Sequence, residues 1–230
     1  MMLRITNLKG GYIKGHNILK ELNLEINQGE AVGIIGLNGS GKSTLGKAIM
    51  NILPFREGGI LFNGTDIALK TTQELSELGI AFFMQGGIVF DELSVWENLL
   101  ISSENEDRII EIQKYFILLA ATKKQLKKTR ADKLSGGERH QLALAMCLLK
   151  NPAFLILDEP SAGLSPKVVN AMYLTLEAIR KEKNITILLI EQNVAKAIEF
   201  CDSVNLLREG KIENQFKNKD LKEIELIMFK

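Results

Sequence analysis

Ala31-Val32-Gly33-Ile34-Ile35-Gly36-Leu37-Asn38-Gly39-Ser40-Gly41-Lys42-Ser43-Thr44 is the stretch from which the fold can be read. Its first five residues form a short continuous apolar run, the pattern of a strand buried on both faces. Residues 36–44 fit a phosphate-binding loop, and residues 42–53 then read as a helix that Pro54 stops. Gly36, Gly39 and Gly41 allow the backbone through Asn38, Ser40 and Thr44 to wrap closely, with successive N–H groups aimed at phosphate oxygens. The helix beginning near Lys42 adds its positive dipole end. Lys42 is expected to neutralise the β- and γ-phosphates, and the Ser43 hydroxyl to coordinate Mg²⁺. A chance match in a chain of this size is on the order of one in a hundred. The loop therefore points to a nucleoside triphosphate and says nothing of what its energy does.

Working outward, Leu22, Leu24 and Ile26 alternate with polar residues as in a half-buried strand, and Gln28-Gly29-Glu30 makes a turn. Residues 59–63 and 80–84 read as further strands. From 93 to 150 the spacing becomes helical, and Ile109, Ile112, Phe116 and Leu119 mark one amphipathic helix. Strands at 154–157, 185–190 and 204–207 then alternate with helices at 166–181 and 194–201, and a turn falls at Glu209-Gly210. Residues 219–230 read as a short helix. Such alternation predicts an α/β fold with a largely parallel sheet covered on both faces, interrupted by an inserted helical block.

Composition narrows the function. Hydrophobic residues make up 46% of the 230 and charged residues 25%, as in an ordinary globular protein. The formal net charge of +1 provides no global field for nucleic acid, which is not expected as a partner. A local basic run, Lys123, Lys124, Lys127, Lys128, Arg130 and Lys133, reads as a solvated face. Cys147 and Cys201 lack metal-ligand spacing and read as reduced core thiols, and His16 and His140 suggest no metal site. The beginning of the chain lacks the apolar stretch of a signal peptide, and the longest apolar runs fall far short of a membrane span.

Two more segments carry chemistry. Phe154-Leu155-Ile156-Leu157-Asp158-Glu159-Pro160 ends a buried strand in adjacent carboxylates, a costly arrangement unless a cation or a reaction uses them. Asp158 suits the Mg²⁺ shell, directly or through water, and Glu159 suits the general base that polarises an attacking water. Leu134-Ser135-Gly136-Gly137-Glu138 opens a helix. Ser135 with Gly136 and Gly137 at that N-terminus forms a second anion site, or simply a helix cap.

Together these segments resemble the ATP-binding cassette (ABC) ATPases, and the resemblance covers essentially the whole chain. It implies one ABC ATPase domain over residues 1–230. Its P-loop NTPase (RecA-like) core, with a mostly parallel sheet, would take residues 1–84 and 151–230, and a helical signature subdomain residues 85–150. An antiparallel β subdomain is implied near the N-terminus. Residues 134–138 match the family's signature, so Ser135, Gly136, Gly137 and Glu138 are expected to close over ATP held by a second cassette. Tyr12 stands where an aromatic stacks on adenine. Gln85 resembles the glutamine that reaches Mg²⁺ and the attacking water, and residues 161–164 resemble the dimer-contact loop. Ser165 departs from a frequent Asp, and Gln192 stands in place of the γ-phosphate-sensing His. Gln donates a hydrogen bond but cannot become cationic, which implies slower hydrolysis or sites that share it unequally.

Ile190-Glu191-Gln192-Asn193-Val194, Gly163-Leu164-Ser165-Pro166 and the segment 85–99 are similar to one ATPase of the branched-chain amino-acid importers. That resemblance implies ATP and Mg²⁺ as cofactors and a homodimer or heterodimer with a second ATPase. It further implies membrane permease subunits, an extracytoplasmic binding protein acting indirectly, and a place on the cytoplasmic face of the membrane. A lipopolysaccharide-export-type cassette and a soluble cassette of the iron–sulfur assembly type are the alternatives.

Overall fold

The computed structural model describes residues 1–217 and 221–228. Strands β1 (Leu3–Gly11) and β2 (Leu19–Ile26) pair antiparallel, and β3 (Ala31–Ile35) leads through the phosphate loop into helix α1 (Lys42–Ile49). Next come β4 (Phe55–Phe62), β5 (Thr65–Asp66), α2 (Thr72–Glu77) and β6 (Ile80–Phe83). Helices α3 (Val95–Ser102), α4 (Glu106–Gln113), α5 (Lys123–Lys128) and α6 (Gly136–Leu149) form the inserted block before β7 (Phe154–Asp158). The chain continues through α7 (Pro166–Lys183), β8 (Thr186–Glu191), α8 (Val194–Phe200), β9 (Ser203–Arg208), β10 (Lys211–Phe216) and α9 (Leu221–Met228).

The strands form two sheets. One is antiparallel in the order β2-β1-β4-β5; the other runs β10-β9-β3-β8-β7-β6 and is parallel except for β10. Period-two alternation divides the parallel sheet's side chains between two cores. Val32, Ile34, Ile156, Leu188 and Ile190 meet α1 and the antiparallel sheet, whereas Ile35, Leu155, Leu157, Ile187 and Leu189 pack with α3, α6, α7 and α8. Every residue of β3, β7 and β8 is buried, as continuous apolar runs between two covering layers require. No helix among the described residues is long and apolar enough to cross a membrane.

Several local readings change. The helix expected over 42–53 ends at Ile49, before Pro54 can act. Asn51 turns left-handed (φ 56°) and ends the helix, and its side-chain amide donates to the carbonyls of Ile67 at 2.6 Å and Lys70 at 2.7 Å, which holds the turn in place. The single amphipathic helix through Leu119 is also broken. Ile109 and Ile112 lie on α4, Phe116 follows it, and Leu119 sits in a separate 3₁₀ turn, Ile117–Ala120. All four side chains are buried, so the periodicity reported a common destination rather than one continuous helix. Strand β4 starts at Phe55, ahead of the expected 59–63.

Strands β1 and β10 were not anticipated. In β1 a register shift between Ile5 and Leu8, with Asn7 at φ 48°, breaks the alternation. Strand β10 is largely polar and forms a hairpin with β9 through Glu209 (φ 46°) and Gly210 (φ 82°), the doubly positive pair of a tight hairpin turn. Of the helix expected over 219–230, residues 221–228 are helical, and 219–220 and 229–230 lie outside the described residues. Neither cysteine forms a disulfide.

Candidate active site

Four loops leave the carboxyl ends of adjacent parallel strands, where ligands bind in open α/β sheets. Register aligns them: Ile35 of β3 pairs with Glu191 of β8, and Ile190 of β8 pairs with Asp158 of β7. The loops after β3, β6, β7 and β8 thus share one cleft of about 570 Å³. Its lining includes Asn38, Gly39, Gly41, Lys42, Ser43, Thr44, Gln85, Glu159 and Gln192.

Glycine is needed at two points of the loop for different reasons. A Cβ on Gly36 would lie 2.3 Å from the Leu207 carbonyl oxygen, which forbids any side chain there. Gly41 is the N-cap of α1 at φ 106°, a conformation that L residues rarely adopt. The loop then folds around Lys42, which is 4% exposed and donates to the carbonyls of Gly36 at 2.9 Å and Leu37 at 3.0 Å. Burial pulls its pKa down, and the charges of Glu159, Asp158 and Glu191 oppose that shift. A polyanion entering the cleft would supply the missing countercharge.

The acids lie opposite. Asp158 is 3% exposed and accepts a 2.9 Å hydrogen bond from the Ser43 hydroxyl. Burial pushes its pKa up; the Ser43 bond works against this, and the charge of Glu159 adds to it. A desolvated carboxylate beside a hydroxyl is the oxygen donor set of a hard divalent cation. Among the described residues no group of three His, Cys, Asp or Glu offers an all-protein metal site, so such a cation would rely on phosphate and water oxygens.

Glu159 follows Asp158 at φ 46°, left-handed for a residue with a Cβ. Its N–H donates to the Ile190 carbonyl at 2.8 Å, pinning the turn to β8. One carboxylate oxygen accepts from Gln85 Nε2 at 2.8 Å, and the other stands 4.0 Å from Lys42 Nζ. Non-glycine residues held at positive φ concentrate at functional sites.

The remaining expected residues fall outside this cluster. Tyr12 lies half-exposed beyond the cleft lining, with its hydroxyl 3.1 Å and its ring centroid 5.2 Å from Lys47 Nζ. The buried Ser40 hydroxyl has no hydrogen-bond partner. Ser135, Gly136, Gly137 and Glu138 do not line the cleft. There the Ser135 hydroxyl donates to Glu138 at 2.7 Å and accepts from its N–H at 3.4 Å, a capping box that opens α6. Ser165 is the N-cap of α7 without a side-chain bond, its place set by Pro166 at the first helical turn. Ala162, from the loop 161–164, also lines the cleft, as does Ile18, which was missed because a lone aliphatic residue carries no chemical signal.

The sequence model of the ABC transporter family matches residues 19–162. The chain is 38% identical over 217 residues to the "Probable branched-chain amino acid transport ATP-binding protein LivF" of Archaeoglobus fulgidus, covering 92% of this chain and 90% of that protein. It is 31% identical to the lipopolysaccharide export system ATP-binding protein LptB of Escherichia coli, covering 90% and 87%. A dimeric ATP-binding cassette solved in a post-hydrolysis state with ADP and Pi superposes with a TM-score of 0.79 at 25% identity, over 94% of this chain and 98% of that one.

Proposed function

Because this chain belongs to the ABC transporter family, as an ATP-binding subunit and ATP hydrolase, we propose that it powers branched-chain amino-acid import through separate membrane permeases. What supports the hydrolytic part is one observation: Lys42, Ser43, Asp158, Glu159, Gln85 and Gln192 reach one region from four loops of a single sheet. The substrate part rests on the 38% identity to the importer ATPase.

In this reading the backbone of 36–41 and Lys42 hold the triphosphate, and Tyr12 borders the base. Ser43, Asp158 and the Gln85 amide oxygen would hold Mg²⁺, which when bound neutralises phosphate charge. Gln85 Nε2 orients the Glu159 carboxylate, which takes the proton of the attacking water. Ser135, Gly136, Gly137 and Glu138 complete the site of a partner cassette, so the active species is a dimer on the cytoplasmic face of the membrane. For the partner's phosphate to reach Ser135, the Ser135–Glu138 box must yield hydrogen bonds to it.

The test is ATP turnover in proteoliposomes carrying the whole transporter purified through this chain. Binding protein loaded with leucine, isoleucine or valine is expected to stimulate turnover. Stimulation by lipopolysaccharide instead would assign the export reading, the second one, which rests on the 31% identity to LptB.

Gln192 yields a further prediction. A neutral amide holds the γ-phosphate less tightly than a cationic imidazole. Gln192→His is therefore expected to raise turnover of the assembled complex, measured as phosphate release at saturating ATP. A fall would remove Gln192 from the γ-phosphate contact.

A further inference from the structure

Next to Gln192 lies an acid to which the hydrolytic scheme gives no task. Glu191 ends β8 and is 2% exposed. Its Oε1 accepts from the Tyr173 hydroxyl at 2.8 Å and from the Ser161 N–H at 3.3 Å. Its Oε2 accepts from the N–H groups of Gln192 at 3.0 Å and Asn193 at 3.1 Å. A carboxylate is an acceptor only, and here four donors converge on it.

Those donors come from three separate parts of the chain. Ser161 lies in the loop after Glu159, Gln192 and Asn193 form the turn after β8, and Tyr173 belongs to α7. Burial, and then the charge of Glu191, holds the Tyr173 hydroxyl far above its ordinary pKa, so it stays a donor. The charge of Glu191 is also felt by Lys42 in the phosphate loop. A side chain needed only to fill the core would be served there by an apolar residue, since burying an anion is costly unless its partners are all required.

We propose that Glu191 is a positioning residue that locks the Ser161 loop to the Gln192–Asn193 turn, so that Gln192 meets the γ-phosphate only while that loop is seated. This rests on the reading of Gln192 given above. An amide in place of the carboxylate keeps one acceptor oxygen and turns an NH2 donor against the other pair of donors, so it can hold one loop but not both. Nucleotide binding lies with the phosphate loop, where the Glu191 charge acts on Lys42 more weakly than those of Glu159 and Asp158.

The experiment is a double-mutant cycle on the assembled transporter with magnesium and ATP. Glu191→Gln is expected to lower kcat about tenfold with KM for ATP changed less than about twofold. In a Gln192→Ala background the same substitution is expected to cost less than about twofold, because its effect passes through Gln192. Equal losses in both backgrounds, or a matching rise in KM, would show a merely structural acid and overturn the proposal, as would an unchanged kcat. Should Glu191→Gln fail to fold, Tyr173→Phe, which keeps the carboxylate and the ring, is read on the same cycle. A wild-type complex without ATP turnover would overturn the functional reading as well; normal turnover with no Glu191 effect would overturn this inference alone.

Discussion

Glu159→Gln is expected to bind ATP as the parent does while losing turnover by about 10²–10⁴-fold. The substitution keeps shape and polarity, so Gln85 retains a hydrogen-bond partner at the position now 2.8 Å away. It removes the only feature that hydrolysis needs and binding does not, a carboxylate able to accept the proton of water. Because ATP would no longer be consumed, the variant is expected to accumulate as a nucleotide-bound dimer, visible as a shift in elution volume when ATP is added. Single-turnover phosphate release is the decisive measurement. Full activity would remove Glu159 from the role of base.

Lys42→Ala is expected to act on binding instead. Lys42 is buried, with its ammonium between two loop carbonyls and 4.0 Å from Glu159. Truncating one partner of a buried charged contact costs about 2–5 kcal/mol, or about 30- to 5,000-fold in affinity. The phosphates would also meet Asp158 and Glu159 without an opposing cation, which places the loss toward the upper end. Titration calorimetry with ATP should show no measurable binding, with a melting curve of the nucleotide-free variant confirming that it is folded. Undiminished affinity would count against the role assigned to the loop.

Much of this site was legible in the sequence because its chemistry is local. A glycine-rich loop between a buried strand and a helix, or two acids ending an apolar run, is written in consecutive residues. Sheet order is not, yet it is the order β3-β8-β7-β6 that brings Gln85 to Glu159. The polar strand β10 escaped detection because its pairing depends on a hairpin turn rather than on apolar alternation. The early end of α1 depends on contacts of Asn51 with residues sixteen and nineteen positions away, which no windowed pattern contains. Glu191 was quoted for its resemblance and given no role, because two of the three segments that donate to it, those of Ser161 and Tyr173, are distant in the chain and meet it only in the fold.

The backbone of Glu159 has a consequence for how such chains change over generations. An L residue with a full side chain in the left-handed region costs about 1–2 kcal/mol, and glycine, asparagine or aspartate bears that conformation most easily. Glycine and asparagine lack a carboxylate, and aspartate holds its own one methylene closer to the backbone. At this position, relief of backbone strain therefore removes the base or draws it back from Gln85. A duplicated copy relieved of the duty to hydrolyse would be free to accept such a change and gain stability from it.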